Sequence, residues 1–532
     1  MSGKVFTIKI AGPAGAGIKS SGLLLSRILL DHGADIRGYS EYPSLVRGGH
    51  NTYQVSFSTG EIFAPHFNVD LFFSLTPGHW QQHTKEFNKN TLIFAEDSKT
   101  ILPLSALSTE IGSPIYKNTI CLGVAAFILG LDLKLCQKTI SDQFKTDPKN
   151  LSAFNLGFDY ALKNFSKLRL IHKSYFINHK SKFNIYDGNE AFGWGFLKGK
   201  GNFYTAYPMT PASGALHFLA QKQEEHNIQV LHPEDEIAAA SLCAGAVFAG
   251  ARAATGTSGG GFALMTETVS LCSVANLGVV FYLVSRPGPA TGLPTWTAQG
   301  DLLFAVHAGH GEFPKIVLAP GDQYESFEIS HQALNLAARF NLPIIVVSDK
   351  FIAESSASIS NLSLEKVKIV TSQKSIPGVE GQEYMANSYE HNQAGFSVED
   401  SATVNKMVTR RLAQTKKIIT SLPKPVFYGQ KNAKTLIVSW GSTKSTILET
   451  LKILNSDQFA FLQIKSLWPI NPDLHLLIKP FKKIVVIENN ATSQLTTLLK
   501  SQFDFNPAKT ILKFDGRPFF PEELVKILKI EN

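Results

Sequence analysis

Cysteine is scarce in this sequence: four residues in 532, at positions 121, 136, 243 and 272. None stands in a Cys-x-x-Cys pair, so the chain offers neither a zinc site nor the ligands of an iron–sulfur cluster. Scattered thiols of this kind fit a reducing, cytoplasmic setting. No apolar run reaches the ~18 residues that a membrane-spanning helix needs. The start, Met1-Ser2-Gly3-Lys4-Val5-Phe6, enters a strand-like run and then glycines, which is not the pattern of a signal peptide. The dinucleotide pattern Gly-x-Gly-x-x-Gly is missing near the first strand. Gly12-Pro13-Ala14-Gly15-Ala16-Gly17 is spaced Gly-x-x-Gly-x-Gly, and no Gly-Lys-Ser/Thr follows, which excludes a P-loop. A tight strand-to-helix turn explains it more simply than a phosphate cradle. Charged residues make up only 18%, with a net charge of +8. The lysines are scattered, and no nucleic-acid motif with interleaved aromatics accompanies them, so no nucleic-acid partner is expected. The excess suits docking of an acidic partner, or an ordinary solvated surface.

What is present concentrates between Tyr207 and Asp301. Val279-Val280-Phe281-Tyr282-Leu283-Val284 is short, β-branched and aromatic without polar alternation, the signature of a strand buried on both faces of a parallel sheet. Arg286 follows its carboxyl end, the edge where open α/β sheets bind ligands. A guanidinium there suits a carboxylate, a surface ion pair being the plainer alternative. Pro233-Glu234-Asp235-Glu236 reads as a helix start, with acids in the first turn. The following helix, Ile237 to Arg252, is Ala- and Gly-rich with almost no polar face, which predicts burial all round. The acids either favour the helix dipole or include one that meets a buried ligand.

These residues resemble the α subunit of 2-oxoacid:ferredoxin oxidoreductases, enzymes that depend on thiamine diphosphate. The family's Tyr-Pro-Ile-Thr-Pro stands here as Tyr207-Pro208-Met209-Thr210-Pro211, and its Thr-Gly-Leu-Pro-Thr as Thr291 to Thr295. The resemblance implies that Glu236 contacts the cofactor's aminopyrimidine and that Arg286 holds the substrate carboxylate, with Thr210 nearby. It also implies that Tyr207, Pro208, Pro211, Ser213, Thr291, Gly292 and Thr295 line the cofactor and substrate site. One departure follows: Trp296-Thr297-Ala298-Gln299 replaces a segment that usually begins with a basic residue. Such enzymes hold the cofactor diphosphate through Mg²⁺, by Gly-Asp-Gly followed some two dozen residues later by Asn. Phe514-Asp515-Gly516 lies too near the C-terminus to serve, and Tyr186-Asp187-Gly188 lacks the leading Gly. The resemblance therefore implies a β subunit that shares the thiamine diphosphate and supplies Mg²⁺ and the iron–sulfur cluster, in a dimer of αβ heterodimers. The implied reaction consumes a 2-oxoacid and coenzyme A and reduces ferredoxin. The substrate leans to 2-oxoglutarate, with pyruvate or a broad range as the alternative. The rivals are a nicotinamide-dependent dehydrogenase built on the N-terminal Gly turn and a non-catalytic assembly subunit.

Along the chain, alternating strands and helices predict an α/β protein. Residues 1–185 resemble the γ subunit of the same enzymes, with its Arg-Gly-Gly at Arg47-Gly48-Gly49. His50 beside it is read as structural or at an interface rather than catalytic, because no nucleophile or acid pair accompanies it in sequence. Residues 186–355 form the expected doubly wound, pyrimidine-binding domain. Residues 356–432 read as a connector with a charged helix at about 399–419. Residues 433–532 resemble the C-terminal domain of transketolase-type enzymes.

Overall fold

The computed structural model describes residues 3–43, 49–170, 176, 183–371, 377–381 and 384–530. Arg47 and Gly48 of the expected γ-type segment lie outside the described residues. The chain forms two compact units. The first takes Met1–Tyr186, Ser355–Asn361 and Phe520–Asn532, and the second takes Asp187–Glu354 and Leu362–Phe519.

Strands are numbered along the chain. The first unit holds β1 (Phe6–Pro13), β2 (Asp35–Glu41), β3 (His50–Ser58), β4 (Val69–Ser74), β5 (Phe87–Ala95), β6 (Thr100–Ile101), β7 (Phe183–Asp187) and, from much farther along, β14 (Ser356–Ser360). They form one mixed sheet in the order β6-β5-β4-β1-β3-β2-β14-β7. β1 lies at its centre, parallel to β4 and antiparallel to β3, and is buried along nearly its whole length. Its apolar residues pack with Leu24, Leu25, Ile28 and Leu29 of the helix Ile18–Asp31, a spacing that puts them on one helix face. The Gly-rich turn before that helix ends at Gly17 in the left-handed region, φ 73°. A Cβ there would meet the Asn118 amide at 2.7 Å, so a side chain packs against the turn.

His50 stands among other imidazoles that its sequence neighbours do not reveal. His79 and His83 follow β4 and meet it from either side: His50 Nδ1 lies 3.1 Å from His79 Nδ1, and His50 Nε2 lies 2.8 Å from His83 Nε2. His83 Nδ1 donates to Glu86 (2.8 Å), which also accepts from Lys9 (2.7 Å). An acid therefore does stand behind His50, at one remove. Burial, then His83 and His79, push the His50 pKa down to about 4.

The second unit carries two sheets. β8 (Phe203–Thr205), β9 (Gln229–Leu231), β10 (Ala253–Thr257), β11 (Val280–Ser285), β12 (Ile316–Leu318), β13 (Ile344–Asp349) and β18 (Ser466–Trp468) order as β18-β12-β13-β11-β10-β8-β9. All neighbours are parallel except β18 against β12. β15 (Val426–Tyr428), β16 (Thr435–Ser439), β17 (Phe459–Gln463), β19 (Lys483–Glu488) and β20 (Lys509–Leu512) form the other, ordered β15-β17-β16-β19-β20. β11 and β13 are buried at every residue, as their unbroken apolar runs require. The two sheets share one apolar core, in which Val317, Ile345 and Val347 join Leu436, Val438 and Leu462. A buried ionic knot adds geometric definition: Lys444 meets Asp322 and, at 2.8 Å, Glu325, which also accepts from Lys465 at 2.9 Å. No single helix among the described residues is long and apolar enough to cross a membrane.

Candidate active site

The carboxyl ends of β8, β10 and β11 gather most of the residues singled out in the sequence. The helix after β9 does not begin at Pro233 but at Glu236, because the Asp235 carboxylate caps it by accepting from Ala238 N–H at 2.7 Å. The three acids thereby separate. Glu234 is exposed, Asp235 caps, and Glu236 is buried at 4% exposure. Glu236 Oε1 has no hydrogen-bond partner. A buried carboxylate oxygen without a donor is costly unless another molecule supplies one.

The helix Gly259–Val274 explains how Glu236 is held. It follows β10 through Ser258, and a Cβ at Gly261 would stand 2.5 Å from Glu236 Oε1 and 2.1 Å from Thr257 Oγ1. Only glycine lets the acid approach the helix this closely. The Glu236 helix itself is not buried all round. Ala239, Ala240, Cys243, Ala244 and Val247 face the core, whereas Ile237 and Leu242 are 49% and 40% exposed. Its small residues fit the neighbouring helix on one side and leave an apolar face open on the other.

Arg286 follows β11 directly. It is half-buried, and its Nη1 donates to the Thr210 carbonyl at 2.7 Å, fastening the end of β11 to the Tyr207–Pro211 loop. Asn189 holds the same loop through the Pro211 carbonyl, at 2.9 Å. Met209 Sδ lies 3.8 Å from Thr257 Oγ1. Tyr207 and Pro208 are exposed, Thr210 and Ser213 half-buried, and Pro211 buried at the head of the helix Ser213–His226. The loop after Arg286 turns sharply, with Leu293 N–H on the Pro287 carbonyl (2.9 Å) and Gly292 at φ 53°. Thr291 and Gly292 face solvent at this turn, but Thr295 is buried and its Oγ1 lacks a partner.

The next residues are stitched to the C-terminal sheet. Thr297 N–H donates to the Gly516 carbonyl (2.9 Å), and Gln299 exchanges hydrogen bonds with the Asn489 backbone. Trp296, where the sequence departs from the expected pattern, lies under the Arg517 guanidinium at 4.5 Å. One acid that sequence reasoning missed, Asp301, ends this segment. A cavity of about 330 Å³ lies elsewhere, lined by Asn276, Asn341, Tyr384, His391 and Arg410 among others. Asn276 and Asn341 precede β11 and β13, so it belongs to the amino edge of the sheet, opposite Arg286.

Comparison with known proteins agrees with this architecture. Residues 195–421 match the family described as pyruvate flavodoxin/ferredoxin oxidoreductase, thiamine diP-bdg, and residues 7–160 match pyruvate ferredoxin/flavodoxin oxidoreductase. The α subunit of 2-oxoacid:ferredoxin oxidoreductase 2 from Aeropyrum pernix is 28% identical over 98% of this chain and 96% of its own length. The 2-oxoglutarate synthase subunit KorA from Archaeoglobus fulgidus is 30% identical over 65% of this chain and 99% of its own. A solved structure of 2-oxoglutarate:ferredoxin oxidoreductase from Magnetococcus marinus, with 2-oxoglutarate, coenzyme A and succinyl-CoA bound, superposes with a TM-score of 0.92, at 25% identity and 99% coverage of both chains. The matched regions span the first unit's sheet and the candidate site, and the chain belongs to the 2-oxoacid:ferredoxin oxidoreductase family, among its α subunits.

Proposed function

We propose that this chain is the α subunit, with a γ-type portion fused ahead of it, of a thiamine-diphosphate-dependent enzyme. The enzyme oxidatively decarboxylates a 2-oxoacid with coenzyme A, releasing acyl-CoA and CO₂ and reducing ferredoxin. 2-Oxoglutarate is the favoured substrate, in keeping with the named activities of the Archaeoglobus and Magnetococcus relatives. The observation that carries the reading is the buried, unpartnered Oε1 of Glu236 at the sheet edge that also holds Arg286.

The site fits thiamine diphosphate on that observation, since a buried carboxyl wanting a partner suits the aminopyrimidine end of the cofactor. When bound, the cofactor supplies the carbanion chemistry that decarboxylation of a 2-oxoacid needs. The chain's own part is to place and charge. Glu236 would hydrogen-bond the pyrimidine ring nitrogen and hold or yield a proton there. Arg286 pairs with the substrate carboxylate, pre-oriented by the Thr210 carbonyl that occupies its Nη1. Pro211 and Thr295 shape the floor, and the exposed Tyr207, Pro208, Thr291 and Gly292 form the mouth.

Diphosphate and Mg²⁺ binding, and the iron–sulfur cluster, fall to a β subunit. The open apolar face of the Glu236 helix, with Ile237 and Leu242, supports a partner covering this end of the site. The test is reconstitution. The chain alone should be colourless, bind thiamine diphosphate weakly and oxidise no 2-oxoacid; adding the β chain should restore all three properties together. A brown, active preparation of this chain by itself overturns the reading, and a panel of 2-oxoacids decides between 2-oxoglutarate and pyruvate.

A further inference from the structure

Asp301 stands first on the short helix Leu302–His307, yet its side chain does not cap that helix. Its carboxyl is turned instead to the start of the Gly259 helix. A Cβ on Gly259 would lie 2.9 and 3.0 Å from its two oxygens. Two acids therefore flank one glycine turn, Glu236 against Gly261 and Asp301 against Gly259. Asp301 Oδ2 is buried without a well-formed hydrogen bond, and the Ser285 hydroxyl stands beside the carboxyl, close enough to favour its anion but not aligned to satisfy that oxygen. Arg286 and Asp301 are close enough that each favours the charged form of the other.

We propose that Asp301 is a positioning residue for the substrate: it is the counter-charge of Arg286 in the empty site, and it takes up one proton when a substrate carboxylate docks on Arg286. The inference rests on the reading that Arg286 receives that carboxylate. One half-buried guanidinium favours two neighbouring carboxylate anions less than it favours one, and the arrival of the second raises the pKa of the first. Substrate brings the new negative charge, and Asp301, already lacking a donor on Oδ2, is the group able to neutralise. The proton comes from solvent. Once protonated, Asp301 changes from acceptor to donor and can give its O–H to the incoming carboxylate. Burial already raises the Asp301 pKa before any substrate binds, offset in part by the neighbouring Ser285 hydroxyl and by Arg286.

The other charged groups around Asp301 do not take this role. Glu236 lies on the far side of the glycine turn. Asp349, opposite Ser285 in the β11–β13 pairing, already accepts from the Ile352 N–H at 3.1 Å. His307 on the same short helix is exposed. Glu267 and Lys500, on the packed helices Gly259–Val274 and Gln494–Gln502, are exposed and lie well beyond the first turn.

The experiment uses the αβ complex. Wild-type KM for the 2-oxoacid should rise with pH, up to tenfold per unit, between the Asp301 pKa of the free enzyme and that of the substrate complex. This limb should appear in KM and not in kcat. Calorimetry in buffers of different ionisation enthalpy should show close to one proton taken up as the 2-hydroxy acid analogue binds. D301N, a neutral isostere, should abolish both the KM limb and the proton uptake. Failure of the wild type to take up a proton in that window overturns the inference without any variant, as does uptake that survives unchanged in folded D301N. R286Q separates the two readings. If R286Q binds the analogue as well as wild type, the parent assignment falls; if it binds at least tenfold more weakly while D301N keeps the proton, only the Asp301 inference falls.

Discussion

Replacing Gly261 with alanine isolates the placement of Glu236 from its chemistry. The new Cβ would stand 2.5 Å from Glu236 Oε1, against about 3.4 Å for an ordinary contact, so the carboxyl must retreat by roughly 0.9 Å. Thr257 Oγ1, at 2.1 Å, must turn away as well. Both atoms end movable side chains, so the fold should survive. Over-packing costs about 1–3 kcal/mol, and the better helix propensity of alanine returns about 1 kcal/mol. A displacement near 1 Å at a reacting group costs on the order of 100-fold in rate. The αβ complex of Gly261→Ala should therefore melt within a few degrees of wild type, yet exchange the cofactor C2 proton about 100-fold more slowly. Gly260→Ala, whose Cβ meets nothing within 4 Å, is the stability control in the isolated chain and should melt no lower than wild type. C2 exchange within threefold of wild type in a folded Gly261→Ala complex would show that the acid's contact with this turn does not matter, and the reasoning would fail.

Glu236→Gln should keep the fold and the complex but abolish turnover, because an amide cannot exchange a proton with the pyrimidine; C2 exchange at the wild-type rate would count against Glu236 and direct attention to Asp235 or Glu234. Arg286→Lys should raise KM for the 2-oxoacid by ten- to a hundredfold, the loss of about 1.5–3 kcal/mol from one charged hydrogen bond, and leave KM for coenzyme A nearly unchanged; equal effects on both would reduce Arg286 to a loop support. Burial pushes the Asp349 carboxyl up to about 6 from 3.8, so its contribution is full near pH 3.8 and is lost as pH rises through 6, about 3 kcal/mol relative to Asp349→Asn. Melts of both proteins from pH 4 to 7 should show wild type losing ground up to about pH 6 and then levelling off, and a difference constant across the whole range would refute the shift. All four cysteines are buried, and burial pushes the Cys136 thiol up to about 12, so a thiol reagent should label none in the native chain and four in denaturant.

What the sequence made legible was local. β11 and β13 could be placed because both are largely apolar runs bounded by turns, and the helix Ser401–Ile419 because its charged residues, Lys406, Arg410, Arg411, Lys416 and Lys417, recur along a continuous stretch; the cap by Asp400 appears only in the structure. The Glu236 helix was anticipated but not its surroundings: an Ala/Gly-rich face reads the same against a core or against empty space, and only packing reveals Ile237 and Leu242 as open. The start at Glu236 rather than Pro233 was decided by one side-chain cap from Asp235, which competes with proline's preference for the first turn. Asp301 gave no signal, because the turn it packs against is at Gly259, 42 residues earlier. Strands β14 and β18 were invisible for the same reason. Each is short, and each pairs with a partner more than a hundred residues away, β14 with β2 and β18 with β12.

That threading of β14 bears on how the protein is made. Ser356 Oγ meets the Tyr53 hydroxyl at 2.6 Å, and Ser358 Oγ accepts from Ile36 N–H at 2.8 Å. Glu522, near the other terminus, accepts from Phe67 N–H at 3.1 Å. A chain leaving the ribosome thus has its first two hundred residues translated long before their sheet is complete. Until residue 360 emerges, β2 presents an unsatisfied edge, the kind of strand that pairs with foreign chains. About 300 residues separate the end of β3 from the end of β14, so at about 5–20 residues per second that exposure lasts roughly 15 to 60 seconds, and the sheet is finished only with the helix Pro521–Ile530. Expression of residues 1–186 alone should preserve that vulnerable interval indefinitely, and the fragment should aggregate where the full-length chain does not.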